Sequence, residues 1–258
     1  MRNRHRYTRG VNELTLAIET SNPSAGGGPA AGGGGAASSG SVCLGTLDAG
    51  GGYTVIARHD LAPASRHDDA LMPAVALVCA AAGVKPGDVR RVAVSIGPGG
   101  FTSVRIAVTT AKMIGEATGA ACVPVPTALA LAHATAGAGA SGVVGVLLAW
   151  KREDVWRQRF TVGSGGGAVT PVDDGGIVAL ASAGEGCGTV VGDDEVVRLI
   201  VPGAAADNPR FLRPDFDARW VLHASRGIAP VDPALLLPIY PREPEAVTKW
   251  RLLHPPRG

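Results

Sequence analysis

The stretch from Val92 to Gly115, VAVSIGPGGFTSVRIAVTTAKMIG, constrains this chain more than any other part of it. A β-branched apolar run (Val92, Val94, Ile96) stops at Gly97-Pro98-Gly99-Gly100. Apolar residues then recur at Val104, Ala107, Val108, Ala111 and Ile114. That three-to-four spacing is one buried face of a helix. Glycines and a proline packed between strand and helix make a turn that needs unusual backbone angles. Thr102 or Ser103 is placed to cap the helix that follows.

The turn has two readings. Exposed N–H groups at a helix N-terminus attract phosphate, and glycine lets a ligand approach the backbone, so Gly97, Gly99 and Gly100 could form an anion cradle. The letters miss the usual phosphate fingerprints, however. Ile106 and Ala107 stand where a Walker lysine and hydroxyl would follow, and the third position of G-x-G-x-x-G falls on Thr102. The other reading is architectural: the turn fixes a sharp angle between strand and helix.

Composition narrows the classes. The 258 residues suit one large or two small domains, and 46% hydrophobic with 18% charged residues is globular. A net charge of +2 gives no argument for a nucleic-acid or membrane-surface binder. Only the N-terminal MRNRHRYTRG is markedly basic, and it reads as a disordered tail over 1–10. Cys43, Cys79, Cys122 and Cys187 are scattered without a C-x-x-C pair, as in a reduced, cytoplasmic protein. The first apolar segment, Leu14–Ile18, is too short for a signal sequence or a membrane span.

Leu14–Ile18 reads as a first strand ending in Glu19-Thr20-Ser21. The segment 24–40 is built of small residues and proline, so it reads as a flexible insertion. Ser41–Leu47 and Tyr53–Arg58 complete an antiparallel meander that survives the insertion, because long loops add little closure entropy. Ala70–Ala82 is a helix with Leu71, Val75 and Val78 on one face. Pro73 must lie in its first turn or kink it, and His67-Asp68-Asp69 are placed to cap it. Cys122–Val125 reads as a strand and Thr127–Ala134 as a helix. After a glycine-rich break, Val143–Ala149 and Val155–Val162 restart the pattern, with weaker strands at Ile177–Leu180 and Thr189–Val191 and a short helix at Asp193–Ile200. Two halves that each begin with antiparallel strands and continue into helices imply a pair of related α/β lobes.

Catalytic signals are sparse. The six histidines show neither H-x-x-x-H nor H-E-x-x-H, and no G-x-S-x-G elbow is present. Glu19 at the end of the first strand is a candidate base or magnesium ligand. Lys151-Arg152-Glu153-Asp154 reads as a solvated hairpin turn, flanked by Trp150 and Trp156, which suit core packing or a contact surface. The missing nucleophile, metal set and acid–base pair shift weight from an enzyme towards a binding or scaffold protein.

The pieces LAIETS, SVCLG, SRHDDALMPAV, SIGPGGFTSVRIAVTTAK and LLPIYPREPEAV, in this order, resemble the TsaB (YeaZ) family of tRNA threonylcarbamoyladenosine synthesis. The match is dense over Leu14–Thr135, thin from Val143 to Ala229, and returns over Pro233–Val247. The run G-P-G-x-F-T-x-[LV]-R-I is specific to this family and its catalytic relative TsaD. The resemblance implies two RNase H-like lobes of the actin, Hsp70 and sugar-kinase superfamily, with mixed sheets flanked by helices. Their expected bounds are 11–136 and 143–247, followed by a tail over 248–258.

It also implies a non-catalytic partner of a TsaD-like transferase, with a TsaE-like ATPase in the assembly and tRNA reached only through the complex. Homodimers are a further expectation. The implied pairing surface uses helices of the first lobe, which places Leu71, Val75, Val78, Val104, Arg105, Val108 and Lys112 on or near it. The paired-histidine metal motif of TsaD-type proteins is missing from the helix corresponding to Thr102–Glu116. Glu19, Thr20, Ser21, Gly97, Gly99 and Gly100 stand as a nucleotide-loop remnant. Here the family's Asp-Thr-Ser begins with Glu19, and its Asp-Ala-Arg strand end is replaced by Ala149-Trp150-Lys151-Arg152. The reading calls for no cofactor and leaves weak ATP or ADP binding open. Its alternatives are a kinase-like phosphotransferase and, with least support, a glycoprotease-type peptidase.

Overall fold

The computed structural model of the chain describes residues 13–22, 40–48, 52–62, 67–200, 211–242 and 245–254. The expected basic tail and the glycine-rich insertion, apart from Gly40, lie outside the described residues, as do the side chains of His67, Asp68 and Asp69.

The first sheet contains β1 (Leu14–Glu19), β2 (Gly40–Leu47), β3 (Tyr53–Leu61), β4 (Arg91–Ser95) and β5 (Ala121–Val125), in the order β3-β2-β1-β4-β5. The meander β1–β3 is antiparallel, whereas β4 and β5 add to β1 in parallel, as crossovers through helices require. Those helices are α1 (His67–Ala81) and α2 (Phe101–Thr118).

The pleat sorts side chains by size. Leu14, Leu16, Ile18, Val42, Leu44, Val92 and Val94 point to the side covered by α1 and α2. Ala17, Cys43 and Ala93 point the other way. The small face lets α5 (Ala218–Ala224) lie close against the sheet with Val221 and Leu222. At Gly45, where β2 bulges, a β-carbon would meet the Leu222 side chain at 2.5 Å and the Thr54 carbonyl at 2.4 Å.

The second sheet repeats the plan. It holds β6 (Gly142–Lys151), β7 (Asp154–Val162), β8 (Val169–Pro171), β9 (Gly176–Ala179), β10 (Thr189–Val191) and β11 (Phe211–Leu212). Its order is β11-β10-β6-β7-β8, with β9 also paired to β7. Again the sequence-adjacent strands are antiparallel and the later two parallel. One face packs on α3 (Thr127–Gly137) through Val144, Val146, Leu148 and Phe160. The other packs on α4 (Asp194–Ile200) through Leu147, Val190 and Val196. The two mixed sheets flanked by helices are the architecture that the sequence implied.

The chain does not stay in its second half. After β11 it returns to the first sheet as α5, then pairs Val231 with Cys122 of β5 and runs along α2 as a strap over Pro233–Arg242 that opens with a single 3-10 turn at Pro233–Leu235. It ends in α6 (Glu245–Leu253), a helix in the segment that the sequence suggested as a tail. Several local expectations also shift. Pro73 sits inside α1 rather than in its first turn. Gly100, not a hydroxyl side chain, is the N-cap of α2, and Ser103 Oγ donates to the Gly100 carbonyl instead. Trp156 is buried, whereas Trp150 is partly exposed and donates its ring N–H to the Arg152 carbonyl. All four cysteines are buried free thiols.

Helices α3 and α5 form the layer between the sheets. Gly137 lies against the Trp220 ring, where a β-carbon would approach to 2.4 Å. His133 of α3 meets His223 of α5 edge-on at 4.6 Å, and the Tyr53 ring lies tilted against His223 at 4.9 Å. Burial, then the nearby His223 and Arg226, push His133 down to about 4. A histidine held neutral in the fold but free to protonate when unfolded removes stability as pH falls from the unfolded value towards the folded one. Denaturant unfolding of the wild-type chain at pH 7.5 and pH 5 is expected to show a loss of about 2 kcal/mol from this group. His133→Phe should flatten that dependence, and an unchanged dependence in His133→Phe would assign it elsewhere.

Candidate functional site: the glycine turn and the α1–α2 face

Three segments that are distant in sequence meet at the C-terminal ends of β1 and β4. They are Glu19–Ser21, Ile96–Gly100 and Pro238–Tyr240, which carry three of the pieces that suggested the family resemblance. Their contacts are mostly backbone. Gly100 N–H donates to the Ser21 carbonyl at 3.0 Å, and Ile239 N–H donates to the Ile96 carbonyl at 2.7 Å. Thr127 N–H, opening α3, donates to the Gly97 carbonyl at 2.9 Å. The Thr20 hydroxyl donates to the Ser103 carbonyl at 3.0 Å.

Steric closeness explains the glycines. A β-carbon on Gly99 would lie 2.2 Å from the Ser21 carbonyl oxygen, and one on Gly97 would lie 2.9 Å from that of Ile239. Gly97 also has φ of +95°, in the region that favours glycine. The space beside the Gly97 and Gly99 α-carbons is therefore filled by the chain itself. Gly100 N–H, which a helix N-terminus would offer to an anion, is already satisfied.

Glu19 faces the small side of the sheet and is 1% exposed. Its Oε1 accepts from both the Ser21 N–H and the Ser21 hydroxyl at 2.5 Å. Burial raises its carboxyl above the ordinary range, only partly opposed by Ser21, and the Asp217 charge adds to the rise. Ser95 Oγ lies near enough to favour the charged carboxylate but is outside hydrogen-bonding geometry. A buried carboxylate without a cation would repel a phosphate group. Among the described residues, no group of three His, Cys, Asp or Glu side chains could hold a metal ion. The six residues named as a nucleotide-loop remnant are thus brought together in one packed joint.

The implied pairing residues fall differently. Leu71, Val75, Val78, Val104 and Val108 are buried against the first sheet, so they hold the fold and present nothing to a partner. This corrects their assignment to a contact surface, and the reason lies in helix geometry: the apolar periodicity marks the side facing the sheet. Arg105 is exposed and lies over the Phe101 ring at 5.3 Å, while Lys112 Nζ donates to the Ala234 carbonyl at 3.2 Å.

The outward side of the same helices carries what that assignment missed. On α1, Met72, Pro73, Ala76, Leu77, Ala80 and Ala81 are exposed, and no charged residue occurs between Ala70 and Val84. Leu77 is 52% exposed and Met72 46%. On α2, Phe101 and Met113 are exposed along the ridge that includes Arg105 and Thr109. A helix apolar on every side is ordinarily covered on every side, and contiguous exposed apolar surface marks an interaction site. The signal was present in the sequence as an uncharged stretch of 15 residues, from Ala70 to Val84.

Residues 62–151, about a third of the chain and including α1, the glycine turn and α2, match the family described as TsaD: tRNA N6-adenosine threonylcarbamoyltransferase. No curated protein matches the sequence. Among solved structures, YeaZ from Pseudomonas aeruginosa is similar over 88% of this chain and 99% of its own, with 18% identity and a TM-score of 0.66. A second structure from Pseudomonas aeruginosa, described as a protein with similarity to peptidase YEAZ, covers 89% of this chain and 100% of its own, with 19% identity and a TM-score of 0.66. At these identities the likeness is one of fold: the chain has the two-lobed YeaZ fold nearly from end to end.

Two substitutions test the joint. Gly99→Ala drives a β-carbon into the Ser21 carbonyl and is expected to destabilise the chain by about 3 kcal/mol or more. Unfolding midpoints in urea check this. Glu19→Gln keeps the size of the side chain and an acceptor for Ser21 while removing the buried charge. Because the folded carboxyl titrates above its unfolded value, wild-type stability falls as pH rises through the folded value. Glu19→Gln should therefore be at least as stable as wild type at pH 7.5, and a marked loss would mean that the charge itself holds the joint.

Proposed function

We propose that this chain is a non-catalytic TsaB-type subunit that binds a TsaD-like transferase and supports threonylcarbamoylation of the anticodon-adjacent adenosine of tRNA. The observation that carries this reading is the uncharged outer face of α1, continued by Phe101 and Met113 of α2, on the segment that matches the TsaD family. An apolar helix pair on one lobe suits a related lobe with a similar helix pair. The partner then supplies the metal chemistry, for which no group of three ligating side chains is found among the described residues, and the nucleotide chemistry with it. A TsaE-like ATPase joins the assembly, tRNA is reached through the complex, and the work takes place in the cytoplasm.

The Gly100 N–H bonded within the chain and the buried Glu19 speak against the kinase-like reading. Within this proposal the turn sets the start and direction of α2, which is half of the docking face. Self-association through the same face follows when the partner is absent.

Reconstitution tests the proposal. The TsaD-like and TsaE-like proteins of the same organism are supplied with tRNA, threonine, bicarbonate and ATP, with and without this chain. Modification is expected only with it, and full activity in its absence would overturn the reading. Leu77→Asp, at a site where the fold has nothing to lose, should weaken binding to the TsaD-like protein at least tenfold, which titration calorimetry measures. Retained affinity would move the interface away from α1.

A further inference from the structure

The strap over Pro233–Tyr240 adds a third ridge to the α1–α2 face. It runs antiparallel to α2. Pro233 lies against Gly115, where a β-carbon would approach its ring at 3.1 Å. The Ala234 carbonyl receives Lys112 Nζ, and the Tyr240 ring meets the Phe101 ring at 4.8 Å. Along this path Leu236 is fully buried in the first core, whereas Leu235 and Leu237 are 70% and 64% exposed. A chain held down at both ends and through Leu236 need not leave two leucines in water. Polar residues would serve the fold equally well at both positions.

We infer that the strap is part of the docking face and that Leu235, Leu237 and Tyr240 bind an acidic, apolar segment of the transferase-like partner. This rests on the reading given under Proposed function and deepens it. Two observations select that occupant. The strap is continuous with the α2 ridge of the proposed interface, sharing the Phe101–Tyr240 contact. At the Pro233 end of the strap Lys112 is bonded to the Ala234 carbonyl and stands with Glu116 and Asp232, whereas at the Tyr240 end the charged side chain of α2 is Arg105, so a segment bearing a carboxylate opposite Arg105 complements the apolar ridge. A nucleic-acid strand would use the same cations and could stack on Tyr240, but the most exposed side chains of the strap are two leucines, which offer a base neither an aromatic face nor a hydrogen bond.

The strap also carries a link to the second lobe. Just beyond Tyr240, Arg242 donates to the Ala149 carbonyl and, at 3.1 Å, to the Asp154 carbonyl at the β6–β7 hairpin. A partner gripping Leu237 and Tyr240 therefore holds both lobes at once, although α1 and α2 belong to the first sheet alone.

The test compares wild type, Leu237→Asp, Leu235→Asp, Arg105→Gln and Leu77→Asp for binding to the purified TsaD-like protein of the same organism at 50 and 300 mM salt. Circular dichroism and thermal unfolding confirm that each variant folds. Both strap variants should weaken binding at least tenfold, and Arg105→Gln should reduce the salt dependence seen in wild type. Leu237→Asp and Leu235→Asp within twofold of wild type, with Leu77→Asp still weakened, would overturn the strap assignment and leave the α1 reading intact. Failure of the wild-type chain to bind at all would overturn both. Binding of a 15-mer single-stranded RNA that Leu237→Asp abolishes, with the protein affinity unchanged, would replace the protein occupant with a nucleic acid.

Discussion

The hydrogen bond from Gly100 N–H to the Ser21 carbonyl decides how this molecule is put together. It places the end of the first strand against the start of α2, at a distance that no side chain on Gly99 would permit. From that contact follow the direction of α2 and the burial of Glu19. The seat for Ile239 follows too, and it lets the strap run back along α2. Remove the closeness and three segments lose their common anchor. Packing is what requires the glycines of the turn, since β-carbons on Gly97 and Gly99 would meet the Ile239 and Ser21 carbonyls.

The second constraint is the division of the first sheet by size. Large residues on one face fill the space beneath α1 and α2, and alanine and cysteine on the other admit α5 at close range. Glu19, Ser41, Ser95 and Asp217 lie on or near that tighter side and are all buried. Ser41 Oγ accepts from Ala218 N–H at 2.8 Å, while Asp217 caps α5 through Arg219 N–H and pairs with Arg58 and Arg219. Polar residues in this layer thus serve as helix fasteners between the lobes. The exposed apolar surface sits on the opposite side of the sheet, on α1, α2 and the strap, so the closed interior and the sticky exterior occupy different faces.

Much of the fold was legible in residue order. The meander, the β4–turn–α2 unit and the restart at β6 all carried strong period-two or three-to-four patterns, and their observed bounds differ by a few residues. The site was less legible, for physical reasons. The joint is made by backbone carbonyls and amides, which leave no side-chain signature beyond the glycines that permit them. On α1 the inner face (Leu71, Val75, Val78) and the outer face (Met72, Leu77) are both apolar, so periodicity cannot say which meets the sheet. In Leu235-Leu236-Leu237 three identical residues divide into one buried and two exposed, a distinction made by the backbone as it leaves the 3-10 turn at Leu235 and becomes extended at Leu236. The return of α5 to the first sheet was hidden because the helix is short and most of its contacts come from alanine, valine and one leucine.

Hydrogen exchange, read by mass spectrometry on the full-length chain alone, with magnesium and ATP, and with the TsaD-like protein, tests the central claim most directly. The account predicts slow exchange of the Ile96 and Gly100 amides in the free chain, no change with nucleotide, and new protection over 70–83, 101–118 and 233–242 with the partner. Fast exchange at Gly100 that ATP suppresses, with no protection of α1 by the partner, would contradict it and return the turn to the role of a phosphate cradle.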